Sequence, residues 1–261
     1  MGGRRLGAVL SAGVVAGLLA GFAAGVFHSL ATEPVVQRAI DLEGALRSAA
    51  GEPKREELLS RRVQRVGVIV GFLLFGGAWG TLFGLAYWLL PEEAAGAHTR
   101  VQALGLALVG YWTLGVFPHF KYPANPPGVG NPETVGYRQG LYFAFLALSV
   151  IGALLGAVAY RHLGRLGRGW QRPRVRGSLV GALYAGYVGA MSVFLPNSPD
   201  PVRMAPELVA EFRWLSLVGV SIFWAVLAGA FALFAPRWIA PTGGLQSSPH
   251  GSSGRRGGGS R

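Results

Sequence analysis

The chain has 261 residues, 51% of them hydrophobic and only 14% charged, against about 25% charged in an ordinary soluble domain. Its net charge of +12 is nearly all arginine, Lys54 and Lys121 being the only lysines; the arginines stand in loops and tails beside apolar runs, as orientation and headgroup anchors do, and no basic, aromatic-studded patch is present to take up nucleic acid. Having no cysteine, the chain forms no disulfide, no CxxC redox site and no thiolate metal site.

Apolar runs predict six membrane spans, near 6–30, 64–90, 101–118, 139–160, 177–195 and 214–235. Their interiors carry no Asp, Glu, Lys or Arg, as expected where a mid-bilayer charge costs at least ~2.5–3.5 kcal/mol. Arg4, Arg5, an apolar run and "SLA" at 29–31 also resemble a signal peptide. The run is about 24 residues, longer than the 7–15 of a signal h-region, so a retained helix is expected. Gly7, Gly13, Gly17, Gly21 and Gly25 in the first span, and Gly67, Gly71, Gly76, Gly80 and Gly84 in the second, form small-residue stripes that let helices approach closely.

After the first span, Val35, Val36, Ala39, Ile40 and Leu46 recur at near-helical spacing with Arg38, Asp41 and Arg47 between them. This predicts an amphipathic helix near the interface. A short repeat closes the odd spans: "GVFHSLATEP" (25–34), "GVFPHFKYPANP" (115–126) and "SVFLPNSPDP" (192–201). It predicts an all-α polytopic protein of three helix hairpins, 1–2, 3–4 and 5–6, with three Pro-bearing loops on one face, the kind of internal repetition found in transporters. Arg4, Arg5, the basic run 161–176 and the tail favour cytoplasmic N- and C-termini in a bacterial plasma membrane, with 13 basic residues inside and 11 outside. The transmembrane domain is expected to span 1–240, and the Gly/Ser/Arg-rich 241–261 to be a disordered tail.

The loop "FPHFKYPANPPGVGNPET" (117–134) is the most distinctive stretch. Proline fixes φ, removes a donor and drives the preceding residue to extended backbone, so "YPANPP" is stiff and non-helical. Such a segment is either a rigid cap over helix ends or a preorganised binding element whose Asn, Glu and carbonyl groups offer oxygen donors.

"KYPANPPGVGNPET" (121–134) resembles the signature of the CbtA family, predicted cobalt transporter subunits. "EPVVQRAIDLE" (33–43), "RRVQRVGVIVGFLLFGGAWGTLFGLAY" (61–87), "LPNSPDP" (195–201) and "FRWLS" (212–216) resemble further family segments in order, so the likeness covers about 6–238. The chain departs from the family pattern in two respects: Asp200 stands where a glutamate is usual, and six spans are read where five are commonly described. The resemblance implies Co²⁺ as substrate, with no tightly bound cofactor. It also implies a small one-span partner subunit with a His-rich end. Glu33 and Glu133 carry the likeness, as do Lys121, Tyr122, Pro123, Asn125, Pro126 and Pro127 in the central motif. Glu43 and Arg213 also match family positions and carry opposite charge, so they are expected to form a structural ion pair.

Imidazole nitrogens and carboxylate oxygens suit Co²⁺. On the loop face these are His28, Glu33, His119, Glu133 and Asp200. His28 and Glu33 converge only if the helix stops between them, as Pro34 suggests. Glu33, Glu133 and Asp200 are expected to come together around a cation, with Arg203 and Arg213 as rival counter-ions. No P-loop, GxSxG or intramembrane Ser/His pair is present, so catalysis ranks behind transport. The remaining alternative is a non-transporting scaffold whose Pro-rich loops bind a partner protein. Besides the lipid bilayer and the small subunit, a second copy of the chain is a further expected partner.

Overall fold

The computed structural model describes residues 6–51, 60–90, 97–166, 172–200, 202 and 204–239. Among them there is no strand, and six helices are long and apolar enough to cross a membrane. The helices are α1 (Leu6–Phe27), α2 (Glu33–Ala49), α3 (Arg61–Leu89), α4 (Ala97–Gly110), α5 (Phe117–Lys121), α6 (Val135–Leu163), α7 (Pro173–Phe194) and α8 (Pro206–Ile239). The tail expected over 241–261 lies outside the described residues, as do 52–59 and most of the basic run's centre.

The first helix does not end at Pro34. α1 and α2 form one helical stretch, Leu6–Ala49, of 44 residues, roughly 66 Å at 1.5 Å per residue and about twice the hydrocarbon thickness. α2 is the amphipathic helix expected there, but it continues α1 rather than starting afresh. Proline lacks an N–H and clashes with the carbonyl four residues back. A π-turn at His28–Thr32 widens the ladder just before Pro34, with the Glu33 N–H donating to the His28 carbonyl. The Ser29 hydroxyl donates to the Gly25 carbonyl at 2.8 Å. Pro118 is handled in the same way. A π-turn over Tyr111–Val116 precedes α5, and the Thr113 hydroxyl donates to the Val109 carbonyl at 2.8 Å. In the third copy of the repeat the helix simply stops at Phe194.

α1 and α3 run antiparallel, backbone against backbone. A Cβ on Gly13 would strike the Gly80 carbonyl oxygen, one on Gly17 that of Gly76, and one on Gly21 that of Phe72. The stripes are therefore packing faces, except that Gly7, Gly67 and Gly71 meet nothing within 4 Å. α8 lies on α1 and α4, where Phe223, Trp224, Leu227 and Phe231 join Phe83 and Tyr87 in the main core. The α8 side chains Trp224 and Val220 fit over Gly110 and Gly115. α6 and α7 form a second unit, joined to α5 by the buried cluster Phe117, Phe145 and Met191. The last hairpin is thus not a packed pair: α7 leans on α6, whereas α8 inserts beside α1.

The antiparallel order places α2, residues 121–134, residues 192–200 and the start of α8 on one face. Arg38 pairs with Glu211 at 2.6 Å, Glu43 lies against Gly128, and Asp200 bonds Asn131. The start of α1 and the end of α8 share the opposite face.

Candidate functional site

α5 ends at Lys121 because Pro123 forces Tyr122 off the helical path. The loop that follows is stapled on both sides. Lys121 Nζ donates to the Ser192 carbonyl at 2.8 Å and to Asn197 Oδ1 at 2.7 Å. The Tyr122 hydroxyl donates to the Pro196 carbonyl at 2.6 Å. Asn125 Oδ1 accepts from Arg213 Nη2 of α8 at 2.8 Å. Pro126 is buried, Pro123 half-buried and Pro127 exposed. Gly128 and Gly130 turn the chain at φ +82° and +95°, backbone that disfavours any side chain. Asn131 Oδ1 then accepts from the Glu133 N–H at 3.0 Å, closing the turn that starts α6.

Asp200 reaches into this turn. Its Oδ2 accepts from Thr134 Oγ1 at 2.5 Å and from the Asn131 N–H at 3.0 Å, and it pairs with Arg138 Nε at 3.0 Å; only 9% of its side chain is exposed. The Thr134 hydrogen bond, the Asn131 N–H and Arg138 hold the carboxyl below its ordinary range, against the opposing pull of desolvation. Its counter-ion is therefore Arg138, in the first turns of α6. Arg213 is committed to Asn125, and Arg203 lies outside the described residues.

Between α5, α6, α8 and the residues Ser198, Asp200 and Val202 lies a cavity of about 640 Å³, in the size range of small-ligand sites. His119, Lys121, Arg138, Asp200 and Arg213 line its polar side, and Leu114 and Val220 its apolar floor. Of the five ligand residues expected from sequence, His119 and Asp200 line this cavity and the other three do not. His28 turns into the seam of α1, α3 and α8. Its Nδ1 is 2.8 Å from the Thr32 hydroxyl, its ring stacks on Phe72 at 4.9 Å, and its Nε2 abuts Gly219. Glu33 sits in the first turn of α2, and Glu133 is exposed on the turn before α6. The expected convergence of Glu33, Glu133 and Asp200 does not occur: among the described residues no three His, Asp or Glu side chains gather as a metal cage. The helix runs through Pro34 and holds Glu33 on α2, while Arg138 already neutralises Asp200.

The Glu43–Arg213 pair is also corrected. Glu43 accepts from Arg47 at 3.1 Å, one helical turn away, and Arg213 serves the Pro-rich loop. Sequence reasoning missed Arg138, Asn131 and Thr134 as partners of Asp200. One signal was present: Arg138 is a charge at the edge of an apolar span, a costly place without a partner.

Comparison with curated proteins and with solved structures gave no match. A family profile described as "Probable cobalt transporter subunit (CbtA)" matches residues 6–236, from the first residue of α1 to the last turn of α8. The chain belongs to the CbtA family.

Proposed function

We propose that this chain is the membrane-embedded subunit of a cobalt transporter and that the loop-face cavity is where the metal is received. The observation that carries this reading is the position of His119 and Asp200 on the wall of one cavity, between the Pro-rich loop and the first turns of α6 and α8. His119 supplies an imidazole nitrogen. Among the described residues the bonds to Asp200 end on Oδ2, which leaves Oδ1 as an oxygen donor. Two donors fall short of the five or six positions a divalent cobalt ion fills, so water or another chain completes its shell. A one-span partner with a His-rich end would supply such groups.

The scaffold alternative is less well supported. The loop groups that would grip a partner protein, the Tyr122 hydroxyl and the Asn125 carboxamide oxygen, are engaged within the chain itself. We also propose that both termini lie in the cytoplasm of the bacterial cell, with the cavity facing outward; reporter fusions at Arg168 and beyond Pro241 check this, and an external signal at either point reverses the orientation. The function is tested by cobalt accumulation in cells expressing the chain with and without its partner. Accumulation above the vector control, dependent on this chain, is the expected result. Normal insertion with no gain in cobalt in either setting would leave the scaffold reading in its place.

A further inference from the structure

The charge of the cavity does not suit a bare dication. Among its described lining residues, Lys121, Arg138 and Arg213 are cationic and Asp200 is the one acid. Asp200 pairs with Arg138. Among the described residues, the hydrogen bonds of Lys121 and Arg213 go to neutral oxygens: the Ser192 carbonyl and Asn197 Oδ1 for the lysine, Asn125 Oδ1 for the arginine. Two positive charges therefore line a partly enclosed space with an apolar floor, where charges are less screened than in water. A hydrated Co²⁺ ion would be repelled from it. A small polycarboxylate would be drawn in, because arginine and lysine are the side chains that recognise carboxylate oxygens. At about 640 Å³ the cavity has room for a metal ion together with such a ligand.

We infer that the cavity is an oxyanion site and that the metal enters it as an anionic carboxylate chelate rather than as the hydrated ion. This inference rests on the proposed transport function. In this arrangement Lys121 and Arg213 hold the chelate's carboxylates, and His119 faces the metal from the same cavity wall.

Two measurements separate this inference from the function beneath it. The first is binding of metal-free citrate to the purified protein in neutral-lipid nanodiscs, followed by calorimetry. Saturable binding is expected, weakened about tenfold by Lys121→Gln or Arg213→Gln, the loss of one close charge contact. Gln139→Glu adds a negative charge to the cavity wall without removing any hydrogen bond described above. It should weaken citrate binding while leaving the folded yield unchanged, and it guards against misfolding of the arginine variant. No citrate binding, or binding indifferent to all three changes, overturns the oxyanion site whatever the transport result. Loss of citrate binding when anionic lipid replaces the neutral lipid would assign the site to a lipid headgroup and overturn the chelate. The second measurement is uptake of radiolabelled cobalt, supplied either as the hydrated ion in a non-coordinating buffer or as the citrate complex. Faster uptake of the complex, with the preference lost in Lys121→Gln, is the expected result. Equal or faster uptake of the hydrated ion overturns the chelate. Citrate binding with no uptake of either form would leave the anion site standing and remove the transport reading.

Discussion

The α1–α3 seam and the α6–α7 pair are both built from apolar, glycine-rich helices, yet they pack in different ways. Along the seam, Gly13, Gly17 and Gly21 meet opposing backbone carbonyls so closely that no Cβ fits. On α7, Gly177, Gly181, Gly186 and Gly189 have nothing within 4 Å of where a Cβ would stand. Tyr187 bridges the second pair by lying over Gly152 and donating to the Leu148 carbonyl at 2.7 Å. In lipid there is no hydrophobic force to drive one apolar helix onto another, so close van der Waals contact and hydrogen bonds decide what holds. The first unit is an interlocked block and the second an arm joined to it through the π-turn Tyr111–Val116, α5 and the Pro-rich loop. The cavity lies where the two meet, with α8 of the block on one side and α6 of the arm on the other.

The contrast is broken most sharply by matched substitutions. Gly17→Leu drives a side chain into the Gly76 carbonyl, which belongs to helix backbone and cannot turn aside. Overpacking costs about 1–3 kcal/mol and occasionally more, and this site should reach the upper end or beyond. Gly181→Leu projects into open space and should stay within about 0.5 kcal/mol of the parent. Folded yield and thermal stability in one detergent compare the two directly; equal losses would mean that the arm is packed as tightly as the block.

A smaller effect is expected where the loop is clamped to the block. Asn125→Ala leaves the Arg213 guanidinium without its acceptor, and a hydrogen bond to a charged group is worth about 1.5–3 kcal/mol. The loss should be read locally, as faster proteolysis in 121–131, before it shows in global unfolding. A variant as protease-resistant as the parent would show that the prolines alone hold the loop.

The smallest and most local effect concerns acid. Asp200 has its carboxyl pKa lowered in the folded protein, chiefly by the Thr134 hydrogen bond. Its contribution is therefore fully present above the unfolded carboxylate pKa and fades as pH falls through the lower, folded value. Hydrogen-exchange protection factors at 131–138, each rate being taken relative to the intrinsic rate at that pH, should be high at neutral pH and fall in acid, below the ordinary carboxylate range. Asp200→Asn should show low protection throughout, with little further dependence on pH. A loss of protection in acid that persists in Asp200→Asn would point to another group.

Hydropathy and the absence of mid-span charge made the six crossings legible, and the alternation of spans brought the three Pro-bearing segments to one face, although the first of them is helix rather than loop. Neighbour relations were less visible. A hairpin pattern pairs helices that follow one another in the chain, but α8 finds its best surface on α1 and α4, where Gly110 and Gly115 accept Trp224 and Val220. Pro34 was misleading because the usual inference, that proline ends a helix, ignores the extra residue a π-turn can insert. At the site, residue type alone made carboxylates look like ligands. Asp200 turned out to be held by Arg138, Thr134 and Asn131, contacts that depend on a loop conformation no periodicity encodes. His28 and His119 follow similar Val-Phe sequences, and only the three-dimensional structure separates the packed one from the one facing the cavity.

The central claim is that the cavity between α5, α6 and α8 receives the metal. It is tested most directly by cobalt uptake per unit of inserted protein in His119→Ala and in Glu133→Gln, expressed side by side. The cavity-lining change should lower specific uptake about tenfold, the loss of roughly 1.4 kcal/mol of interaction, while the exposed Glu133 change leaves it at the parent level. Unchanged uptake in His119→Ala together with a loss in Glu133→Gln would contradict the account and move the site to the outer surface of the loop.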